Sequence, residues 1–137
     1  MTPEQIFSAA NLVAVAGWLL LLALPRHRWT TRLAGTIIPL VLASGYLTLL
    51  ALHWGEGRGG FSTLQGVADL FSNPWLLLAG WVHYLAFDLF VGTWEANDGA
   101  ARGVSRWLVT PCLILTFFLG PIGFLAYQAV RQTGRVS

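Results

Sequence analysis

The alternation of apolar and polar stretches divides the chain into four long apolar segments joined by shorter polar ones. The segments cover about residues 5–24, 33–52, 74–95 and 107–130. Each contains the roughly 20 residues that an α-helix needs to cross a hydrocarbon core of about 30 Å. No stretch has the two-residue alternation of a half-buried β-strand. The pattern predicts an all-α, polytopic membrane protein, a four-transmembrane-helix bundle that forms a single domain over residues 1–137.

A shorter helix is predicted between the second and third segments, over about residues 61–72. Its apolar residues recur at helical spacing and comprise Phe61, Leu64, Val67, Ala68 and Phe71. An amphipathic helix of this kind is typical of a segment that lies in the membrane interface, and Asn73–Pro74 marks its end. Two roles stay open for it: a lid over a site between the helices, or a plain connector.

The composition agrees with a membrane protein. Of the residues, 55% are hydrophobic and 10% are charged, and the mean hydropathy is +0.63, whereas a soluble domain has about a quarter charged residues. The net charge is only +2 and the cations are scattered arginines, which argues against nucleic-acid binding. Cys112 is the single cysteine, so an internal disulfide is excluded.

The first apolar run ends at Pro25–Arg26 without a small-residue cleavage site, so we interpret it as a transmembrane helix and not as a signal peptide.

The arginines predict how the chain is oriented in the membrane. Five lie in the first and third loops: Arg26, Arg28, Arg32, Arg102 and Arg106. Three lie on the other side of a four-span arrangement: Arg58, Arg131 and Arg135. Because cytoplasmic loops carry an excess of arginine and lysine, we expect a multi-pass protein of the cell (inner) membrane. Loops one and three are expected in the cytoplasm and both termini outside.

The third apolar segment carries three ionisable side chains, His83, Asp88 and Glu95. Asp88 and Glu95 are seven residues apart, so they share a helix face about 10 Å apart, whereas His83 points about 140° away from Asp88. An aspartate at the centre of a membrane helix costs about 2.5–3.5 kcal/mol on insertion. Such residues usually face the bundle interior and have a partner or a function.

A purely structural explanation of these groups also stays open. In that alternative His83 is a structural histidine and the acids are paired: Asp88 with Asn11, Tyr46 or Tyr127, and Glu95 with Arg102 or Arg106.

The fourth segment contains Gly120–Pro121. Proline cannot donate a backbone hydrogen bond, and its ring clashes with the preceding turn, so we predict a helix kink at Pro121. The freed backbone must face protein or a cavity in the bilayer. The kink forms either a wall beside a ligand cavity or a site of close packing at Gly120 and Gly123.

A metal site is not expected. The three histidines, His27, His53 and His83, lie at different depths and cannot converge on one ion. The sequence contains no phosphate loop, redox cysteine pair or nucleophile–histidine–acid arrangement, and we expect no cofactor.

The second half of the chain resembles a known family. The strings HYLAFDLFVGTWEANDGAARG and TPCLILTFFLGPIGFLAYQAVR, within residues 80–131, resemble the abscisic-acid-deficient-4-like membrane proteins. This is a small four-helix family whose plant members are implicated in neoxanthin formation. The chain starts almost directly with its first helix, without a plastid transit peptide, and has arginine without lysine. From this we expect a bacterial relative.

The resemblance implies an isomerisation that needs no oxygen or electrons, acting on a carotenoid or related isoprenoid lipid. Opening an epoxide to an allenic alcohol needs one proton delivered to the oxygen and one removed from the chain. Since a carboxyl group shielded from water is suited to donate a proton, Asp88 is the candidate acid, and His83 or Glu95 the candidate base. The expected ligand-binding residues are Trp81, Tyr84, Trp94, Asn11 and Tyr127.

Two other functions stay open. The protein can be a non-catalytic carotenoid-binding or assembly subunit. A small proton or solute conduit through Asp88 and Glu95 is less favoured, because the paired broken helices of secondary transporters are missing from the sequence. The expected partners are the lipid bilayer and a carotenoid or isoprenoid ligand, and a homo-oligomer or an enzyme partner is left open.

Overall fold

The protein is all-helical over residues 1–134, the part of the chain that the computed structural model describes. Its helices, labelled in chain order, are α1 (Pro3–Ala23), α2 (Arg28–Glu56), α3 (Leu64–Phe71), α4 (Pro74–Ala101), α5 (Arg106–Leu119) and α6 (Pro121–Val130). A short 3₁₀ turn, Arg131–Thr133, follows α6. The predicted all-α class is confirmed. The predicted single domain ends at residue 137, and residues 135–137 lie outside the described part.

Three of these helices, α1, α2 and α4, are long and apolar enough to cross a membrane, with 21, 29 and 28 residues. They correspond to the first three predicted segments. The Thr2 side chain caps α1 by accepting the Gln5 N–H. The Asn73 side chain caps α4 in the same way, directly before Pro74 in the first helical turn. These caps satisfy backbone donors that a helix start leaves free.

Helix α2 contains one wide turn. Over Leu33–Ile37 the hydrogen bonds join residues five apart, and the Ile38 N–H bonds to the Leu33 carbonyl. The cause lies at Pro39, which has no N–H and whose ring would clash with the carbonyl four residues earlier. The wider turn makes room for that ring, and the helix continues to its outer end.

The fourth apolar segment differs from the prediction. It is not one helix over residues 107–130, because the chain reverses direction at Gly120, where φ is +33°. Gly123 packs directly on the backbone of Thr116, although residues seven apart in one continuous helix are separated by about 10 Å. Helices α5 and α6 therefore form an antiparallel hairpin. Pro121 is the first residue of α6 and not a kink inside a helix.

The hairpin changes the number of membrane crossings and the position of the C-terminal end. A fourth span is not confirmed, since α5 and α6 have only 14 and 10 residues and fold back on each other. The Arg131 guanidinium bonds to Asp98 near the end of α4. A Cβ at Gly134 would lie 2.9 Å from the Arg102 carbonyl oxygen. Residues 131–134 thus lie at the same end of the molecule as loops one and three, in contrast to the expectation that both termini lie on the opposite side. Arg135, counted in that expectation, is outside the described residues.

The predicted amphipathic helix is present as α3, shorter than the expected 61–72. Thr63 caps it by accepting the Gly66 N–H. Leu70 faces inward and is buried, and the Phe71 ring packs on Gly80 of α4. Its location in a membrane interface stays a prediction.

Helix α4 is the centre of the bundle. Glycines allow close packing on it: Gly92 lies against the Trp18 ring of α1, and Gly17 of α1 lies against Leu89. Small residues of this kind are how membrane helices approach each other, because lipid provides no hydrophobic driving force between helices. Two buried clusters result. One joins α4 to the first half of α1 and the second half of α2, and the other joins α4 to the second half of α1, the start of α2 and the hairpin.

Candidate functional site

Asp88 lies on α4 where the tip of the hairpin touches it. A Cβ at Gly120 would be 2.8 Å from Asp88 Oδ1 and 3.2 Å from Oδ2, so only a glycine allows this contact. Asp88 Oδ2 is buried and has no hydrogen-bond partner within residues 1–134. A buried polar atom without a partner is costly and therefore uncommon. It marks Asp88 as the side chain that most needs a functional explanation.

Two features of the hairpin tip surround the Asp88 carboxyl group. Helix α6 starts at Pro121, directly after Gly120, and the positive end of a helix dipole favours a carboxylate. On the other arm, α5 ends at Leu119 and leaves carbonyl groups without helical partners. The Tyr84 hydroxyl, one turn before Asp88 on α4, donates to the Phe117 and Phe118 carbonyls over 3.5 Å each.

An apolar groove of about 510 Å³ leads to Tyr84 from the end of the molecule that holds the N-terminus. Its walls come from the start of α1, the end of α3 and the first half of α4: Pro3, Glu4, Phe7, Phe71, Pro74, Leu77, Leu78, Gly80, Trp81 and Tyr84. Asp88 follows Tyr84 by one helical turn, about 6 Å along the axis. The groove and the carboxyl group therefore lie on the same face of α4.

Trp81 is held in place at the inner part of this groove. Its Nε1–H donates to the Asn11 side-chain oxygen at 3.0 Å, and its ring lies 5.5 Å from that of Phe7 and 5.3 Å from that of Tyr84. The Asn11 amide in turn donates to the Phe7 carbonyl. The structure thus brings together four of the predicted site residues, Asp88, Tyr84, Trp81 and Asn11.

Glu95 is on the same face of α4, two turns further on, and is fully buried. The Thr116 hydroxyl lies 3.0 Å from both of its carboxylate oxygens and donates to them. Glu95 is therefore bound to the hairpin arm α5. The predicted structural pairing of Glu95 with Arg102 or Arg106 was wrong.

Those arginines have other partners. Asp98 accepts hydrogen bonds from Arg102 Nε at 3.0 Å, from Arg131 at 3.0 Å and from the Tyr127 hydroxyl at 2.6 Å. Arg106 donates to the Leu22 carbonyl. Asp98 thus fastens the end of α6 to α4, a role that sequence reasoning missed because the fold-back of α6 was not foreseen.

His83, Trp94 and Tyr127 lie away from the groove. The exposed His83 ring faces Tyr46 and Phe87, at 5.6 and 4.9 Å between ring centroids, and lines a separate cavity of about 240 Å³. The Trp94 ring meets that of Tyr127 edge to face, and the Arg131 guanidinium lies 5.4 Å from its centre. Tyr127 bonds to Asp98, not to Asp88. The structure therefore does not join His83 and Asp88 into an acid–base pair.

No group of three or more His, Cys, Asp or Glu side chains is arranged to hold a metal ion in residues 1–134. The arrangement offers a half-buried carboxyl group, that of Asp88, one helical turn beyond Tyr84 at the end of an apolar groove. Such a group can exchange a proton with a bound apolar molecule without competition from water.

Comparison with known proteins identifies the family. No curated protein and no solved structure shows significant similarity to the chain. The family profile described as ABA DEFICIENT 4-like, however, matches residues 5–127. That match contains nearly all of the three long apolar helices, the hairpin turn, and the site residues Asn11, Trp81, Tyr84, Asp88 and Glu95. The protein is a membrane protein that belongs to the ABA DEFICIENT 4-like family.

Proposed function

We propose that the protein is a membrane-embedded, non-redox isomerase that acts on the oxygenated end of a carotenoid or related isoprenoid lipid. The observation that carries this proposal is the unpartnered Asp88 carboxyl oxygen beside the groove that ends at Tyr84. An apolar ligand in that groove would bring a polar end group to the Asp88 carboxyl group, whose Oδ2 has no hydrogen-bond partner in the described chain.

The shape and lining of the groove support a ligand with a bulky end and a long apolar chain. Its walls are almost wholly apolar, and the Trp81 ring contacts those of both Phe7 and Tyr84. Asn11 is the polar group that orients Trp81. One end group enters the groove laterally from the lipid, and the rest of the chain stays in the bilayer.

The proposed chemistry needs a single carboxyl group. Protonated Asp88 donates its proton to the epoxide oxygen as the carbon–oxygen bond breaks, which leaves a hydroxyl group and a carbocation stabilised by the polyene. The faces of Trp81 and Tyr84 stabilise that cation. The Asp88 carboxylate then takes a proton from the neighbouring vinylic carbon, and the electrons of that C–H bond form the allene. The proton given to oxygen is replaced by the proton taken from carbon, so the reaction is a pure isomerisation.

The other two predicted catalytic residues are placed differently. Glu95 is fully buried and hydrogen-bonded to Thr116, so it cannot contact a ligand in the groove. His83 lies on another face of α4. We therefore assign both proton transfers to Asp88.

A carotenoid-binding or assembly subunit without catalysis is the second candidate. The position of Asp88 beside the first residue of α6 favours it, because a carboxylate there stabilises the helix start even when no reaction takes place. In that case the groove alone provides the function.

Pigment chromatography separates the two candidates. We would express the native chain, Asp88→Asn and the matched control Asp69→Asn in cells that make epoxy-carotenoids. Asp69 is exposed on α3 and does not line the groove. As an isomerase, the native chain and the control form a new isomer, whereas Asp88→Asn forms none and still co-purifies with pigment. A binding subunit gives bound pigment in all three and no isomer. An Asp88→Asn variant that forms as much isomer as the native chain refutes the role of Asp88.

A further inference from the structure

The arginines of the protein are unevenly distributed between its two ends. The end that carries loops one and three, together with the end of α6, holds six of them: Arg26, Arg28, Arg32, Arg102, Arg106 and Arg131. The opposite end holds Arg58. Among the acids at the arginine-rich end in residues 1–134, Asp98 is the one that is not fully buried. Arg102 and Arg131 already bind it.

Four of the six arginines are used inside the protein. Arg102 and Arg131 bind Asp98. Arg26 donates to the Val104 carbonyl and Arg106 to the Leu22 carbonyl. These bonds join the loops and helix ends to each other. Arg28 and Arg32, in contrast, make no hydrogen bond or ion pair with any side chain or carbonyl in residues 1–134.

These two arginines are grouped around one aromatic ring. The guanidinium groups of Arg28 and Arg32 lie 5.8 and 5.6 Å from the centre of the Trp29 ring. The three side chains alone line a polar cavity of about 270 Å³. The indole ring holds both cations by cation–π contact and leaves their N–H groups free to face that cavity. Such a pair of forked donors matches the geometry of a phosphate group.

We propose that Arg28, Trp29 and Arg32 bind the phosphate group of an anionic membrane lipid. The cluster is the first turn of the membrane-spanning helix α2, which places it at the depth of the lipid headgroups. Trp29 is 49% exposed, and tryptophan at the end of a membrane helix sits at this level of the bilayer. The charge of the surrounding end of the molecule favours an anionic lipid over a zwitterionic one.

The test uses native mass spectrometry of the full-length protein in detergent, titrated with phosphatidylglycerol, phosphatidylcholine, glycerol 3-phosphate or inorganic phosphate. We expect tighter binding of phosphatidylglycerol than of phosphatidylcholine. Arg28→Gln and Arg32→Gln should each weaken binding of phosphatidylglycerol about tenfold, which corresponds to one lost charge-assisted hydrogen bond. The matched control is Arg58→Gln, an exposed arginine at the opposite end that should leave binding unchanged.

Three results would overturn the proposal. One is equal binding of the two phospholipids by the native chain. Another is an equal loss of affinity in Arg58→Gln and Arg28→Gln. The third is binding of glycerol 3-phosphate or inorganic phosphate as tight as that of the lipid, which would identify a soluble phosphate as the ligand. If the glutamine variants do not fold, Arg28→Lys and Arg32→Lys keep the charge and remove the forked donor geometry. These lysine variants should still weaken binding, and unchanged affinity in both would contradict the proposed recognition.

Discussion

Asp88 and Glu95 share one face of α4, yet they contact different parts of the hairpin. Glu95 is fully buried and receives the hydroxyl of Thr116 on α5. Asp88 faces the turn itself, where a glycine offers space but no side-chain donor. Glu95 is therefore hydrogen-bonded within the protein, whereas Asp88 Oδ2 has no partner in residues 1–134, although both side chains lie on the same face of the helix.

Thr116 should be essential for the stability of the hairpin. Thr116→Val keeps the shape of the side chain and removes the single side-chain donor that Glu95 has in the described chain. Leaving a buried polar group without a partner costs about 1–3 kcal/mol, so we expect the free energy of unfolding in detergent to fall by that amount. Denaturant titration followed by tryptophan fluorescence measures it.

A second threonine provides the control for this experiment. The Thr48 hydroxyl is exposed and bonds only to the Ser44 carbonyl one turn earlier. Thr48→Val makes the same chemical change without exposing a buried acid, and it should change the free energy of unfolding by less than about 0.5 kcal/mol. Equal losses in the two variants would mean that the Glu95–Thr116 bond contributes nothing specific.

Sequence patterns predicted the direction of these side chains better than their partners. Helical periodicity placed Asp88 and Glu95 on one inward face, and the structure agrees. The partners come from α5 and α6, whose alignment with α4 depends on where the chain reverses. Periodicity within one helix contains no information on that alignment, so the hydrogen bonds of Glu95 and of Asp98 could not be derived.

At the level of helices, the length of the apolar stretches predicted four spans. Three of them correspond to long helices, and the fourth is a hairpin that length alone did not indicate. Residues 107–130 are as long and as apolar as a real span. A kink and a reversal also have the same local signature, a glycine followed by a proline. What distinguishes them is the positive φ of Gly120 together with the tight packing of Gly123 on Thr116. The small residues Thr116, Gly120 and Gly123, which allow the two arms to pack closely, are visible in the sequence. Small residues are equally common, however, where separate membrane helices pack.

Gly120 should tolerate no side chain. In Gly120→Ala the backbone would keep a φ of +33°, which L-residues rarely adopt, and the new methyl group would meet the Asp88 carboxyl oxygens at 2.8 and 3.2 Å. Backbone strain of this kind costs about 1–3 kcal/mol. We expect a lower unfolding temperature in detergent and, because Asp88 is displaced, loss of the proposed isomerase activity.

Gly45→Ala is the matched control for the hairpin turn. Gly45 lies inside α2 with open space around the position of a Cβ atom, so alanine should be neutral or stabilise the helix by about 0.5–1 kcal/mol. A Gly120→Ala variant as stable as Gly45→Ala would show that the turn does not need its unusual backbone.

For the whole molecule, the hairpin makes the charge distribution more uneven than a four-span arrangement would. Among residues 1–134, a four-span arrangement would set five arginines against two, Arg58 and Arg131. The fold-back carries Arg131 to the end that already holds the arginines of loops one and three. Six then face one within the described residues, and by the excess of arginine in cytoplasmic loops this end is predicted to lie in the cytoplasm. The topology and the electrostatics of the protein thus support each other.

Accessibility of single cysteines tests this topology. The native Cys112 is buried and should not react with a membrane-impermeant maleimide. We would introduce Ser62→Cys before α3, Ser105→Cys before α5 and Thr133→Cys after α6, all at exposed positions. In sealed cells only Ser62→Cys should be labelled, and the other two only after the membrane is permeabilised. The informative comparison is between Thr133 and Ser105, because a hairpin requires both on one side of the membrane. A continuous fourth span would instead place Thr133 with Ser62, and the same labelling of those two positions would rule out the hairpin in the membrane.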